Sequence, residues 1–250
     1  MARLHLLGTG ASVSDPHRTT TMLAVENDDS VVVVDCGGDV VQRLMAANVD
    51  LDSIDALIIT HEHADHVSGF PLFMQKIWIA GRRDPIDVYG IAPALEQARR
   101  SFESFDMSGF KGLPDIRWHE VSHEAHSTVL DNEHWQIVAS PGTHSVPVIG
   151  LRVLDKAGGG VLTYSCDTEK SDAITELAKQ SVLLVHEANG DIDGHATAQD
   201  AAEVALDAGV KEVLLVHLPP EALLDEAAIE EARKTFPNIA KGEEGGLYLF

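Results

Sequence analysis

The stretch Thr60-His-Glu-His-Ala-Asp-His-Val-Ser-Gly69 places His61, His63, Asp65 and His66 within six positions, directly after the apolar run Ala56-Leu-Ile-Ile59. An H-x-H-x-D-H spacing arises by chance in about three of a thousand chains of this composition, so coincidence explains it poorly. The apolar run reads as a buried strand. Its four polar followers then sit on the loop at the strand's carboxyl end, where α/β proteins hold ligands. In an extended turn alternate residues face one way, which pairs His61 with His63 and sends Asp65 and His66 toward a neighbouring point. A borderline metal such as zinc accepts this mixture of imidazole and carboxylate. One strand-end loop thus supplies half of two metal shells.

Three further residues follow apolar runs in the same way. His144 comes after Val138-Ala-Ser-Pro-Gly-Thr143, Asp167 after Leu162-Thr-Tyr-Ser-Cys166, and His217 after Val213-Leu-Leu-Val216. With His61, His63 and His144 on one metal, and Asp65, His66 and His217 on the other, Asp167 is left to bridge. Each metal then has four protein groups and room for a shared water. Glu187 and His195 obey the same strand-end geometry without being needed as ligands, which makes them candidates for catalysis. Asp35, after Val31-Val-Val-Val34, reads as a group that holds the histidine loop by hydrogen bonds rather than as a ligand. The loop Gly8-Thr-Gly-Ala11 lacks phosphate-binding spacing and reads as a tight turn needing glycine at positive φ. His5, His17, His119 and His134 read as surface or packing residues. His123-Glu-Ala-His126 has no third group nearby and reads as a solvated loop.

Composition bounds the rest. A chain of 250 residues with 44% apolar content can bury one large core, and no Gly/Ser or Pro linker divides it, so residues 1–250 read as a single domain. Strands are expected at 3–7, 22–26, 31–34, 56–60, 86–89, 116–121, 135–139, 148–154, 161–164, 182–186, 212–217 and 247–250. Helices are expected up to about 47 and at 66–79, 92–104, 172–178, 198–208 and 223–236, with 105–115 as a loop able to cover a pocket. Two halves, each of strands followed by helices, suggest two sheets face to face with helices outside. No run has the length of a signal peptide or a membrane span, so a soluble cytoplasmic protein without a membrane partner is expected. Cys36 and Cys166 make no disulfide framework. A net charge of −22 argues against nucleic acid as a partner.

T-H-E-H-A-D-H together with His144, Asp167 and His217 resembles the metallo-β-lactamase fold, which implies an α/β four-layer αββα sandwich with a dinuclear metal site. Gly8-Thr-Gly with Arg18, Asp35-Cys-Gly, Pro141-Gly-Thr-His-Ser145, Ser165-Cys-Asp-Thr168, His186-Glu-Ala and Gly194-His-Ala-Thr resemble the ribonuclease Z branch of that family. The resemblance implies that His195, oriented by Glu187, stabilises or protonates the departing group. It implies a homodimer as well. Two departures stand out. Cys166 occupies a place where glycine is usual, leaving a thiol near the metals. Only 22 residues separate His144 from Asp167, where transfer-RNA processors of the branch carry a long arm.

The expected chemistry follows. Two zinc ions, with manganese or iron as alternatives, lower the pKa of a bridging water to roughly 7 and offset charge during attack on a phosphodiester. Asp65 orients the bridging hydroxide and His195 protonates the leaving oxygen. The reading is a zinc-dependent phosphodiesterase for small diesters such as cyclic nucleotides, with little processing of precursor transfer RNA. Alternatives on the same fold are a lactonase, an arylsulfatase or a ribonuclease Z-type transfer-RNA 3′ endonuclease. A flavodiiron-type oxidoreductase would want a carboxylate in place of His63, and a noncatalytic zinc scaffold would lack an open metal position.

Overall fold

The run Val213-Leu-Leu-Val216 shows how the chain makes its layers. In the computed structural model, which describes residues 1–28 and 30–250, Leu214 and Val216 join a core shared with Leu6, Val33 and Leu57. Val213 and Leu215 face the other way, onto Ala201, Ala202, Ala205 and Ile229. Successive side chains of a strand point to opposite faces, so an unbroken apolar run marks a strand covered on both sides. Each such Val or Leu gains about 1.5–3 kcal/mol from burial, before chain entropy is counted.

The first sheet holds β1 (Arg3–Gly8), β2 (Met22–Glu26), β3 (Val31–Val34), β4 (Ile54–Ile59), β5 (Ile86–Gly90) and β6 (Ile116–Glu120) in that spatial order. The second holds β7 (Ser127–Asp131), β8 (Trp135–Pro141), β9 (Ile149–Asp155), β10 (Val161–Tyr164), β11 (Leu183–Glu187), β12 (Glu212–Val216) and β13 (Ile239–Lys241), also in chain order. β14 (Leu247–Leu249) returns to pair with β1. The helices are α1 (Val40–Ala46), α2 (Ala64–Val67), α3 (Phe70–Ile79), α4 (Ala92–Glu103), α5 (Asp172–Ala178), α6 (Ala198–Ala208) and α7 (Glu226–Thr235). Two mixed sheets with helices outside form the αββα sandwich.

Strand direction places the site. β3 to β6 run parallel, as do β10 to β13, while β8 and β9 are antiparallel neighbours that lead into β10. β8 therefore points the same way as β10. The carboxyl ends of β3 and β4 in one sheet, and of β8, β10, β11 and β12 in the other, meet at one edge.

Several expectations need correction. The single helix expected over 66–79 is two, α2 and α3, broken at Ser68 and Gly69. A Cβ on Gly69 would stand 2.3 Å from the Gly38 carbonyl oxygen and 2.4 Å from that of Cys36. The chain must turn there to clear the backbone after β3, and Pro71 in the first turn of α3 suits a new start. β7 and β13 were not anticipated. Both are edge strands, short and half-polar, where the apolar signal is weakest. The helix expected from 223 begins at Glu226, where the Asp225 carboxylate accepts from the Ala228 N–H. Residues 105–115 precede β6 and so lie at the edge opposite the strand ends that converge. That loop packs on α3, with Lys111 O accepting from Trp78 Nε1 and the Phe110 ring edge-on to Trp78. Gly8 and Gly10 are not at positive φ. A Cβ on Gly8 would fall 2.0 Å from the Thr20 carbonyl oxygen, so close approach is what demands glycine there.

Candidate metal centre

The turn after β4 carries its side chains on a backbone wedged against the segment after β3. A Cβ on Gly37 would lie 1.6 Å from the Asp65 carbonyl oxygen, and the Cys36 N–H donates to His66 O at 2.8 Å. Asp35, at φ 61, turns its carboxylate under this turn. Its Oδ1 accepts the Thr60 N–H at 2.8 Å, and its Oδ2 lies 2.8 Å from His66 Nδ1. His66 thereby presents Nε2 inward, buried and without a hydrogen-bond partner.

The predicted residues converge in two sets. His63 Nδ1 is 3.1 Å from both His61 Nε2 and His144 Nε2, and Asp167 Oδ2 is 3.8 Å and 4.0 Å from the latter two. The same Asp167 oxygen is 3.2 Å from His217 Nε2 and 3.4 Å from His66 Nε2. Asp65 Oδ2 is 3.4 Å and 3.6 Å from those nitrogens. A tetrahedral ion with ligands at 2.0–2.1 Å has donor-to-donor edges of about 3.4 Å, so both sets have the right span for one ion each. Asp167 Oδ1 is buried with no hydrogen-bond partner. That donor chemistry and those unsatisfied atoms fit a divalent metal.

Electrostatics prepares the first set. Burial, and next the neighbouring His66, pushes His61 well below the usual imidazole range. Burial likewise lowers His63 and His144. Neutral imidazoles keep the lone pairs a metal needs. Asp167 is opposed by burial, yet His217 and His66 hold its carboxyl well below the carboxylate range. Asp65 is also lowered, with burial outweighed by His217 and His66. Against its burial, Asp167 and Asp35 pull His66 well above the usual imidazole range.

His195 and Glu187 stand beside these sets. The His195 ring stacks on His217 at 5.4 Å and meets His144 edge-on at 4.9 Å. Its Nδ1 is 2.9 Å from Glu187 Oε1, and that fully buried carboxylate also accepts the N–H groups of Thr168 and Asn189. Burial disfavours the charged ring, but the Glu187 hydrogen bond and charge outweigh it and raise His195. His195 also lies close enough to Asp167 and His217 to complete a third donor group. His144 is set by Gly194, whose carbonyl oxygen is 2.7 Å from Nδ1 and whose own Cβ would crowd that atom at 2.9 Å.

Apart from Asp35, the supports of the cluster carry no local sequence pattern. Thr60 closes the apolar run and gave no signal of its own. Thr21 accepts the His217 N–H and donates to Gly10 O, while Leu218 pairs with Thr9 and Ala11, so the glycine loop braces the strand end that bears His217. Glu244 binds Thr9 in that loop and Thr19 ahead of β2, from 225 or more residues away, which no local pattern reveals. Cys166, at φ 54 and fully buried, puts its thiol beside Thr60 and His61 Nδ1 rather than among the converging donor atoms of the first set. His123 is tied to Val148 O, and both it and His126 are exposed.

The family model for the Beta-lactamase superfamily domain matches residues 31–218. Ribonuclease Z of Methanothermobacter thermautotrophicus is 28% identical, over 95% of this chain and 93% of that protein. The human short-form tRNase Z superposes with a TM-score of 0.81 at 22% identity, covering 99% of this chain and 98% of that one. A diphosphatase of the PhnP family gives 0.73 at 22% identity, covering 100% and 98%. The argument from net charge against a nucleic-acid partner is overturned by the ribonuclease that matches along nearly the whole chain. Total charge governs the distant field, whereas groups and ions within about 8–10 Å decide contact. No helix among the described residues is long and apolar enough to cross a membrane. Because the family match runs through every residue of the centre from Asp35 to His217, the chain belongs to the Beta-lactamase superfamily domain family and is a metal-dependent hydrolase.

Proposed function

We propose that the chain is a dinuclear zinc phosphodiesterase, with RNA and small phosphodiesters as equal candidates for its substrate. One observation carries the reading: a single Asp167 oxygen lies within 4.0 Å of donor nitrogens from both sets. His61, His63 and His144 would hold one zinc, Asp65, His66 and His217 the other, with Asp167 shared. When bound, such ions supply Lewis acidity and make water acidic near pH 7.

The chain's own residues do the rest. Asp65, ionised and partly open to solvent, accepts a hydrogen bond from the attacking water and aims its lone pair. His195 holds its Nδ1 proton against Glu187, which leaves Nε2 to meet the departing oxygen. The charged ring gives its Nε2 proton to that oxygen and returns to neutral imidazole, still anchored by Glu187. The ribonuclease and diphosphatase relatives support a phosphoryl centre over a carboxyl ester or sulfate.

The test is a panel at one moderate salt concentration, with the zinc-reconstituted chain. Precursor transfer RNA, a cyclic nucleotide and bis(p-nitrophenyl) phosphate are compared by kcat/KM with a lactone and an aryl sulfate. Phosphodiesters should be the preferred class. A higher kcat/KM for the lactone or the sulfate would sink the proposal, and the ratio of RNA to small diester decides between the two substrates.

A further inference from the structure

We infer that Thr60 is a positioning residue: its hydroxyl fixes the tautomer of His61 and ties both donor sets to one carboxylate, that of Asp35. The inference rests on reading these histidines as metal ligands. Its basis is the hydrogen-bond capacity of a single buried hydroxyl.

Thr60 Oγ1 has three close polar neighbours. It is 3.0 Å from Asp35 Oδ1 and 2.9 Å from Oδ2, 3.1 Å from His61 Nδ1, and 3.0 Å from Cys166 Sγ. A hydroxyl offers one proton and two lone pairs. The hydroxyl donates its proton to the Asp35 carboxyl oxygens, which accept it. Both lone pairs are then left to accept, one from the Cys166 S–H and the other from His61 Nδ1–H. The capacity of Oγ1 is thereby filled, in a place where Thr60, His61, Asp35 and Cys166 are all fully buried.

The consequence falls on the far side of the His61 ring. With the proton held on Nδ1, Nε2 carries a lone pair and faces His63 Nδ1 at 3.1 Å. The opposite tautomer would aim an N–H into the donor set. Asp35 holds His66 of the second set directly, with Oδ2 2.8 Å from Nδ1. One carboxylate therefore orients a histidine from each set, reaching His66 in one hydrogen bond and His61 in two, through Thr60. Cys166 supports this at a cost: its φ of 54 lies in the left-handed region that a residue with a Cβ disfavours, yet that backbone is what brings the thiol onto Thr60.

Two readouts independent of turnover test the relay. Long-range proton–nitrogen NMR of the histidine rings in the metal-free chain reports the His61 tautomer, and competition with a chelator measures the affinity for each zinc. The wild type and Thr60→Ser should show His61 protonated at Nδ1. Thr60→Val should lose that signature and bind one zinc about 10- to 100-fold more weakly, the usual cost of removing a group that orients a ligand. Thr60→Ala serves if the valine variant does not fold. Wild-type zinc affinities with an unchanged His61 tautomer in the hydroxyl-free variant would overturn the relay. Failure of the metal reading looks different: the wild type itself would take up no zinc at the His61 set, while the tautomer comparison would still decide the role of Thr60.

Discussion

The two sheets contribute to the candidate metal centre by different means. The first sheet delivers His61, His63, Asp65 and His66 from one turn after β4, braced by the Asp35 segment pressed against it. The second sheet delivers His144, Asp167, Glu187, His195 and His217 from five separate places in the chain. In the first, backbone spacing within a few residues decides the geometry. In the second, each residue is placed only because β8, β10, β11 and β12 end at one edge, and because Cys166 and His217 accept positive φ at 54° and 50°. A site can thus be half local and half long-range, and the two halves should fail in different ways.

The largest effect should come where the halves meet. Asp167→Ala removes the one oxygen shared by both sets, so the expected outcome is loss of both ions and of measurable hydrolysis, with mass spectrometry of the native protein as the check. His63→Ala, by contrast, should cost the ion of its own set and leave the other bound. Retention of two ions by Asp167→Ala would break the division into two sets that share it.

Next in size is a residue of the second sheet that lies beside both sets. His195→Ala should lower kcat by roughly 10²- to 10⁴-fold for a substrate with a poor leaving group, with metal content unchanged. A nitrophenyl diester, whose leaving group departs without a proton, should lose far less. If metal content falls along with activity, His195 is a ligand, as its closeness to Asp167 and His217 would permit.

The smallest effect concerns Glu187. Its hydrogen bond and charge, working against burial, raise His195 above its ordinary value, so the charged acid form persists to higher pH and is lost as pH rises through the raised pKa. Glu187→Gln should lower that pKa and shift the basic limb of the kcat–pH profile toward lower pH. The loss at neutral pH should be less than the roughly 10²-fold minimum expected for removing the acid itself. An unmoved basic limb would mean that another group titrates there.

These halves also differ in how much of them could be read without coordinates. His61, His63, Asp65 and His66 announce themselves because their spacing is the geometry, and the strand Ala56–Ile59 before them reads directly from its apolar run. Asp167 and His217 were legible too, since each follows such a run, and a strand buried on both faces leaves a long apolar signature. The edge strands β7 and β13 were not, because they bury little. Thr60 and Glu244 escaped for a related reason: a hydroxyl or carboxylate carries no pattern until its partner, such as Asp35 or Thr9, arrives from elsewhere in the chain.

The sequence by itself therefore determined the layer order, the strand ends and the chemical types of the donors, since these depend on residues near one another in the chain. Only the tertiary structure decided which donor faces which, that one Asp167 oxygen lies within 4.0 Å of nitrogens from both sets, that the 105–115 loop lies at the far edge, and that a break at Gly69 divides the helix. Such features are set by non-bonded approach between distant segments, as where a Gly69 side chain would collide with the Cys36 backbone. Spacing along a chain carries no information about contacts of that kind.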